Sequence, residues 1–131
     1  MTVPSWQEWN SKHLSHSRFV FEENGKVAGW AALTPFSARK VYRGVAEVSI
    51  YVATAFCGKK IGSELMEQII ISSKLNGIWT LFSSVFPENE ATLRLHKKFG
   101  FRIIGTRERI AKLDGKWRDT ILLEKRSSRI A

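Results

Sequence analysis

Two scarcities narrow the class of this sequence at once: cysteine and long apolar runs. Cys57 is the only thiol in 131 residues, so no disulfide can close within the chain and no cysteine-based zinc cluster can form. A reducing, cytoplasmic setting fits. No uninterrupted apolar stretch approaches the ~20 residues needed to cross a bilayer. The opening MTVPSWQEWNSKHL has neither the basic flank nor the apolar centre of an export signal. The chain therefore reads as soluble and unexported, with no membrane partner. Internal repeats and low-complexity linkers are also missing, which leaves one ordinary domain over residues 1–131 as the expectation.

Acidic residues are the minority as well. Twelve Asp and Glu stand against 21 Lys and Arg, a formal net charge of +9. Up to Phe56 the balance is six basic to four acidic, so the excess lies further on, in Lys59 and Lys60, in Arg94, Lys97, Lys98 and Arg102, and from Arg107 to Arg129. Such a field favours anionic partners, polyphosphates and nucleic acid among them, without choosing between them. No recognition-helix pattern or base-stacking motif accompanies it, which ranks nucleic acid low.

What is present reads as a succession of short elements. Ser5 to Leu14 predicts a brief helix with a Ser cap and Glu at the third helical position. RFVFEE, Asn24-Gly25 and KVAGWAAL predict a tight hairpin, and Thr34-Pro35 is expected to end its second strand because proline has no N–H to give a ladder. PFSARKVYRG follows as a polar connection. Val45 to Ala53 is the next strand, and Ile61, Leu65, Met66, Ile69 and Ile70 then mark one face of a helix. Asn76-Gly77 closes that helix in the left-handed manner, and IWTLFSSV is a strand parallel to the one before the helix. Asn89 caps a helix over Glu90 to Phe99 with Ala91, Leu95 and Phe99 on one side, and Gly100 ends it. Phe101 to Ile110 and Lys116 to Glu124 predict two last strands joined at Asp114-Gly115, with a frayed end beyond. This order implies an α/β (α+β) fold, a mixed sheet with helices on its faces.

The stretch from Val45 to Asn76 carries the chemistry. A strand runs through a glycine-containing loop into a helix start, where unpaired N–H groups and a partial positive charge suit a phosphate. Within the strand, Ala46, Val48, Ile50 and Val52 share one face and Val45, Glu47, Ser49 and Tyr51 the other. A carboxylate in the middle of so apolar a strand needs either a partner, such as a nearby arginine, or a solvated cleft. The strand alone leaves both open.

The segments GWAALTPFSARKVYRGVAEVSIYV, CGKKIGSELM, IWTLFSSVFPENEATLRLHKKFGF and RERIAKLDGKWRDTILLE resemble the GCN5-related N-acetyltransferase (GNAT) superfamily, most of all its phosphinothricin and methionine-sulfone acetyltransferase branch. The resemblance spans Trp6 to Glu124. It implies a mostly antiparallel GNAT-like sheet flanked by helices, and direct acetyl transfer from acetyl-CoA to the primary amine of a small, amino-acid-like molecule, with no metal and no covalent intermediate. Glu47 matches the general base. Ile50, Tyr51 and Val52 match the backbone that pairs with the pantetheine arm, and Gly58, Lys59, Lys60, Ile61, Gly62 and Ser63 match the pyrophosphate loop. Asn89 matches a cofactor contact, although capping alone would account for it. His96 falls where a proton relay or donor is expected, or is a half-buried histidine bonded to backbone. Arg39 and Tyr42 fall where substrate residues are expected, or in an ordinary loop. A homodimer is also implied by the branch.

The chain departs from the pattern in three places. Cys57 and Lys60 replace the arginine and the middle glycine of an Arg-Gly-x-Gly-x-Gly loop, which puts a Cβ at position 60 where backbone usually approaches phosphate. Cys57, before a helix start and among basic residues, is either an inert packing residue or a thiol able to form a mixed disulfide with CoA. The strand and helix that begin related sequences are not found before Trp6, so the domain reads as N-terminally truncated and leaves a sheet edge at Arg18 to Glu23. A degenerate, non-catalytic acyl-CoA-binding protein is the alternative reading, and a basic nucleic-acid-binding module a more distant one.

Overall fold

The computed structural model describes residues 6–53 and 60–127. Cys57, Gly58 and Lys59 lie outside the described residues, so the readings placed on them stay expectations. In chain order the elements are α1 (Trp6–Lys12), β1 (Phe19–Glu23), β2 (Lys26–Pro35), a 3-10 turn (Lys40–Tyr42), β3 (Val45–Val52), α2 (Ile61–Leu75), β4 (Thr80–Val85), α3 (Glu90–Lys98), β5 (Arg102–Leu113) and β6 (Lys116–Arg126). The six strands form one sheet in the order β1-β2-β3-β4-β6-β5. Every neighbouring pair is antiparallel except β3 and β4, which are parallel on either side of the α2 connection.

Local chemistry explains the turns. Asn24 and Gly25 both have positive φ, +53° and +76°, and Asp114 and Gly115 repeat the arrangement at +52° and +75°. Two consecutive left-handed residues twist a hairpin in the sense its strands require. Gly77, at +77°, ends α2 as expected. The strand β2, however, does not stop before Pro35, which pairs with Ala46. The N–H of Phe36 donates to the carbonyl of Val45 on β3, so the neighbouring Pro35 nitrogen faces away from β3. The β1 ladder has already ended there, at Phe19 and Ala31, and the missing donor costs nothing.

One side of the sheet packs on α2. Gly29, Ala31 and Leu33 register with Val52, Ile50 and Val48, and Ile61, Leu65, Met66, Ile69 and Ile70 close over them as one buried cluster. The anticipated α2 face is the observed one, joined by Ser73, whose hydroxyl donates to the carbonyl of Ile70. On the opposite side, Trp30 is met by Trp9 of α1 and by His13 just after that helix, at ring-centroid distances of 5.7 and 5.9 Å. The α1–β1 connection is tied down by Arg18, which donates to the carbonyls of Leu14, His13 and Asn10. The helix α3 is rolled relative to expectation: His96 is its buried residue, Leu95 and Phe99 are partly buried and Ala91 is exposed. The last strand runs on to Arg126, past the expected end at Glu124, because Ser127 N–H still donates to the carbonyl of Trp79.

Candidate active site

The parallel ladder of β3 and β4 is short. It pairs Val45 with Thr80, Ala46 with Leu81 and Glu47 with Phe82, and stops. Beyond Glu47, β3 keeps β2 on one side and, among the described residues, has no strand on the other, so β3 and β4 diverge into a cleft. Glu47, Val48, Ser49 and Ile50 line one wall of about 290 Å³ of open space, and Ser83, Ser84, Val85, Phe86, Asn89, Thr92 and His96 the other. A second, larger space of about 530 Å³ continues from it, lined by Ile50, Tyr51, Val52, Lys60, Ile61, Gly62, Ser63, Asn89, Ala91, Thr92 and Leu95. Ile50, Asn89 and Thr92 line both. The structure thus brings Glu47, His96, Ile50, Tyr51, Val52, Lys60, Ile61, Gly62, Ser63 and Asn89 along one continuous groove. Arg39 and Tyr42 line neither space and are exposed, Tyr42 in the 3-10 turn and Arg39 just before it.

Each wall is positioned by its own local rule. Asn89 caps α3, its Oδ1 accepting from the N–H of Thr92 at 3.3 Å. The first turn of α2 comes against α3 because Gly62 has no side chain: a Cβ there would lie 3.2 Å from Leu95 Cδ2. Lys98 Nζ reaches across from α3 to donate to Ser63 Oγ at 3.1 Å. Lys60 caps α2 in the left-handed region, φ 62° and ψ 14°, with no side-chain capping bond. The position where the related pattern carries glycine therefore keeps the glycine-type backbone while bearing a lysine.

Glu47 has no ion-pair or hydrogen-bond partner among the described residues. A structural arginine partner is not what holds it. On its own face of the sheet it sits between Thr34 on β2 and Phe82 on β4.

His96 is 3% exposed. Its Nδ1 lies 2.8 Å from the carbonyl oxygen of Thr92. A carbonyl can only accept, so Nδ1 carries the proton. Burial holds the ring below its usual 6.5, against the smaller upward pull of the Thr92 bond. The neutral ring therefore presents a bare lone pair at Nε2, which is sealed from solvent and has no hydrogen-bond partner among the described residues. Such a group can donate only after it has first accepted. A bond to backbone is one of the two expectations for His96; that Thr92 supplies it leaves no signal in residue type, because every residue offers a carbonyl. Ser83, Ser84 and Phe86 escaped the sequence reading, since nothing in one strand shows that its neighbour will diverge.

Comparison with known proteins gives this cleft its context. The family described as Acetyltransferase (GNAT) matches residues 2–101. The chain belongs to the acetyltransferase (GNAT) family. Among GNAT relatives, YwnH of Bacillus subtilis is 38% identical over 94% of this chain and 77% of its own. The L-methionine sulfoximine/L-methionine sulfone acetyltransferase of Salmonella typhimurium is 28% identical over 85% of this chain and 65% of its own length, so the chain spans slightly under two thirds of that relative. A GNAT superfamily phosphinothricin acetyltransferase of Sinorhizobium meliloti, solved in complex with AcCoA, superposes with a TM-score of 0.81 at 25% identity over 87% of this chain and 62% of that one. The mixed, mostly antiparallel sheet with flanking helices is the GNAT-like fold expected from the sequence.

Proposed function

We propose that the protein transfers an acetyl group from acetyl-CoA directly to the primary amine of a small amino-acid-like molecule, of the phosphinothricin or methionine-sulfone type. The observation that carries this reading is the single groove that joins the one-sided end of β3 and the start of α2 to Glu47 and His96. Its parts fit the co-substrate. An amide-rich pantetheine arm is matched by a strand with one open side, Ile50 to Val52. The pyrophosphate is matched by free N–H groups at the start of α2, with Lys60 and Lys98 nearby. Asn89 lines both halves of the groove and adds a polar contact to its capping role.

An alkylammonium ion cannot attack a thioester until it loses a proton. Glu47, which lines the cleft and has no ion-pair partner among the described residues, accepts that proton directly or through water. Attack then forms the tetrahedral intermediate, and its collapse expels the CoA thiolate. His96, which lines the same cleft, returns a proton from the attacking nitrogen to sulfur once substrate binding uncovers Nε2, which is enclosed in the free protein. Arg39 and Tyr42 contribute to holding the acceptor. Exposed Ile103, Ile104, Ile110, Leu113 and Trp117 on the β5–β6 hairpin, together with a sheet edge at β1, support a homodimer, which light scattering on the eluted protein would test. A cytoplasmic setting rests on the lone Cys57.

The test is a thiol-release assay with acetyl-CoA and a panel of small amines. Release that requires both an amine and Glu47 supports the transferase. Binding of acetyl-CoA without release assigns the protein to non-catalytic acyl-CoA binding instead.

A further inference from the structure

On its own face of the sheet Glu47 is flanked by Thr34 on β2 and by an aromatic ring on β4. The registered neighbour on β4 is Phe82. The ring of Phe82 meets Phe36 edge-on at 5.2 Å and 87°, and Phe36 meets Tyr42 at 5.3 Å and 63°. Phe36 is 50% exposed and Tyr42 39%. Three rings thus form a shelf that begins one strand spacing from the carboxylate and ends in open solvent. Its members come from the residue after β2, the 3-10 turn and β4, and their edge contacts hold the ring faces in place. Aromatic faces carry partial negative charge; they attract ammonium groups, accept apolar ones and offer nothing to an anion.

We infer that Phe36, Tyr42 and Phe82 form the subsite for the group attached to the reacting amine. The preferred acceptor is then a primary amine bearing a neutral apolar or aromatic substituent, not one bearing a second anionic group. This rests on the acetyltransferase reading and narrows it to the uncharged, methionine-sulfone end of the proposed range, setting aside phosphinothricin, whose phosphinate is a second anion. With the ammonium at Glu47 and the substituent on the shelf, Arg39 in the same connection is left as the cation for an α-carboxylate. An amino acid would then be held at three points, and its side-chain end is where the shelf discriminates. Phe36 is the specificity-determining residue, because its ring touches both of the others.

Steady-state thiol release by the full chain tests this with leucine, methionine, phenylalanine and phenethylamine against glutamate and phosphinothricin. The expected kcat/KM ratio favours the apolar group by about tenfold or more. Phe36→Ala lowers kcat/KM for the apolar amines about tenfold, mostly through KM, and leaves the KM for acetyl-CoA unchanged. Phe36→Leu retains most of the selectivity. Circular dichroism of both variants checks that they fold; Phe36 is half-exposed, and its loss opens no core cavity. A preference for glutamate or phosphinothricin, or a Phe36→Ala effect equal for every amine or absent, overturns the shelf while leaving the transferase standing. Absence of release with every amine overturns both.

Discussion

Glu47 on β3 and Phe82 on β4 are the last registered pair before the two strands part. The cleft begins at that pair, so the carboxylate occupies the one place where β3 is held by neighbours on both sides and open space starts on its next residue. Its position is set by backbone pairing on either flank, and a change confined to its charge should leave the fold untouched.

Glu47→Gln follows from this. The amide is isosteric and uncharged, and no ion pair is broken among the described residues. Turnover should fall by about a hundredfold to ten-thousandfold, the usual range for a lost general base. Acetyl-CoA affinity and thermal stability should stay near wild type. Thiol release, calorimetric titration with CoA and a melting curve on one preparation would show it. A variant that loses turnover and stability together would mean that Glu47 is structural.

Lys60 offers a prediction with two opposed signs. A lysine at φ 62° pays roughly 1 kcal/mol that glycine would not. Lys60→Gly should therefore raise stability by about that amount, less a fraction for the greater freedom of the unfolded chain. The same change removes an ammonium from the start of α2, so acetyl-CoA should bind more weakly and with a shallower salt dependence. Denaturant unfolding reads the first effect and titration at two ionic strengths the second. Tighter binding in the glycine variant would show that the Cβ obstructs the phosphates more than the charge assists them.

Much of this frame was legible in the residues. The pairs Asn24-Gly25 and Asp114-Gly115 gave both hairpins, Asn89 its cap, and the α2 apolar face its burial, because each is decided within a few residues of the chain. Three features were not legible, for a shared reason. The divergence of β3 from β4, the roll of α3 that buries His96 rather than Ala91, and the extension of β2 through Pro35 are settled by what lies across the sheet. A sequence window sees VAEVSIYV as one uniform strand, and only the three-residue ladder shows where it changes from sheet to cleft.

The imidazole of His96 makes stability depend on pH in a definite direction. Burial lowers its folded pKa below 6.5, so the unfolded ring protonates first as the pH falls. Stability is full above about 6.5, declines as the pH drops below it, and levels off once the folded pKa is passed. His16 is also lowered by burial, so wild type alone cannot separate the two. His96→Gln should flatten part of the decline between pH 7 and 5 measured by denaturant unfolding, and His16→Gln a further part. An unchanged slope in His96→Gln would mean that the ring titrates alike in both states.

Gly29 tests how closely the co-substrate strand is packed. It stands opposite Val52, next to the β3 residues that line the groove. A Cβ built on it would lie 2.6 Å from the carbonyl oxygen of Tyr51, and 3.2 and 3.3 Å from side-chain methyls of Leu65 and Ile61. The methyls can yield by a few tenths of an ångström, but the carbonyl belongs to a laddered strand and cannot move alone. Gly29→Ala should thus cost about 1–3 kcal/mol, a fall in melting temperature of roughly 4 °C for each of them. It should also raise the KM for acetyl-CoA, since relieving the clash displaces the end of β3. Gly105→Ala is the matched control: nothing lies within 4 Å of its Cβ, and a strand-interior glycine replaced by alanine is neutral or slightly stabilising. If both variants melt with the wild type, the approach of β2 to Tyr51 is looser than the distances describe. If Gly29→Ala loses stability yet keeps its acetyl-CoA KM, the end of β3 does not hold the co-substrate.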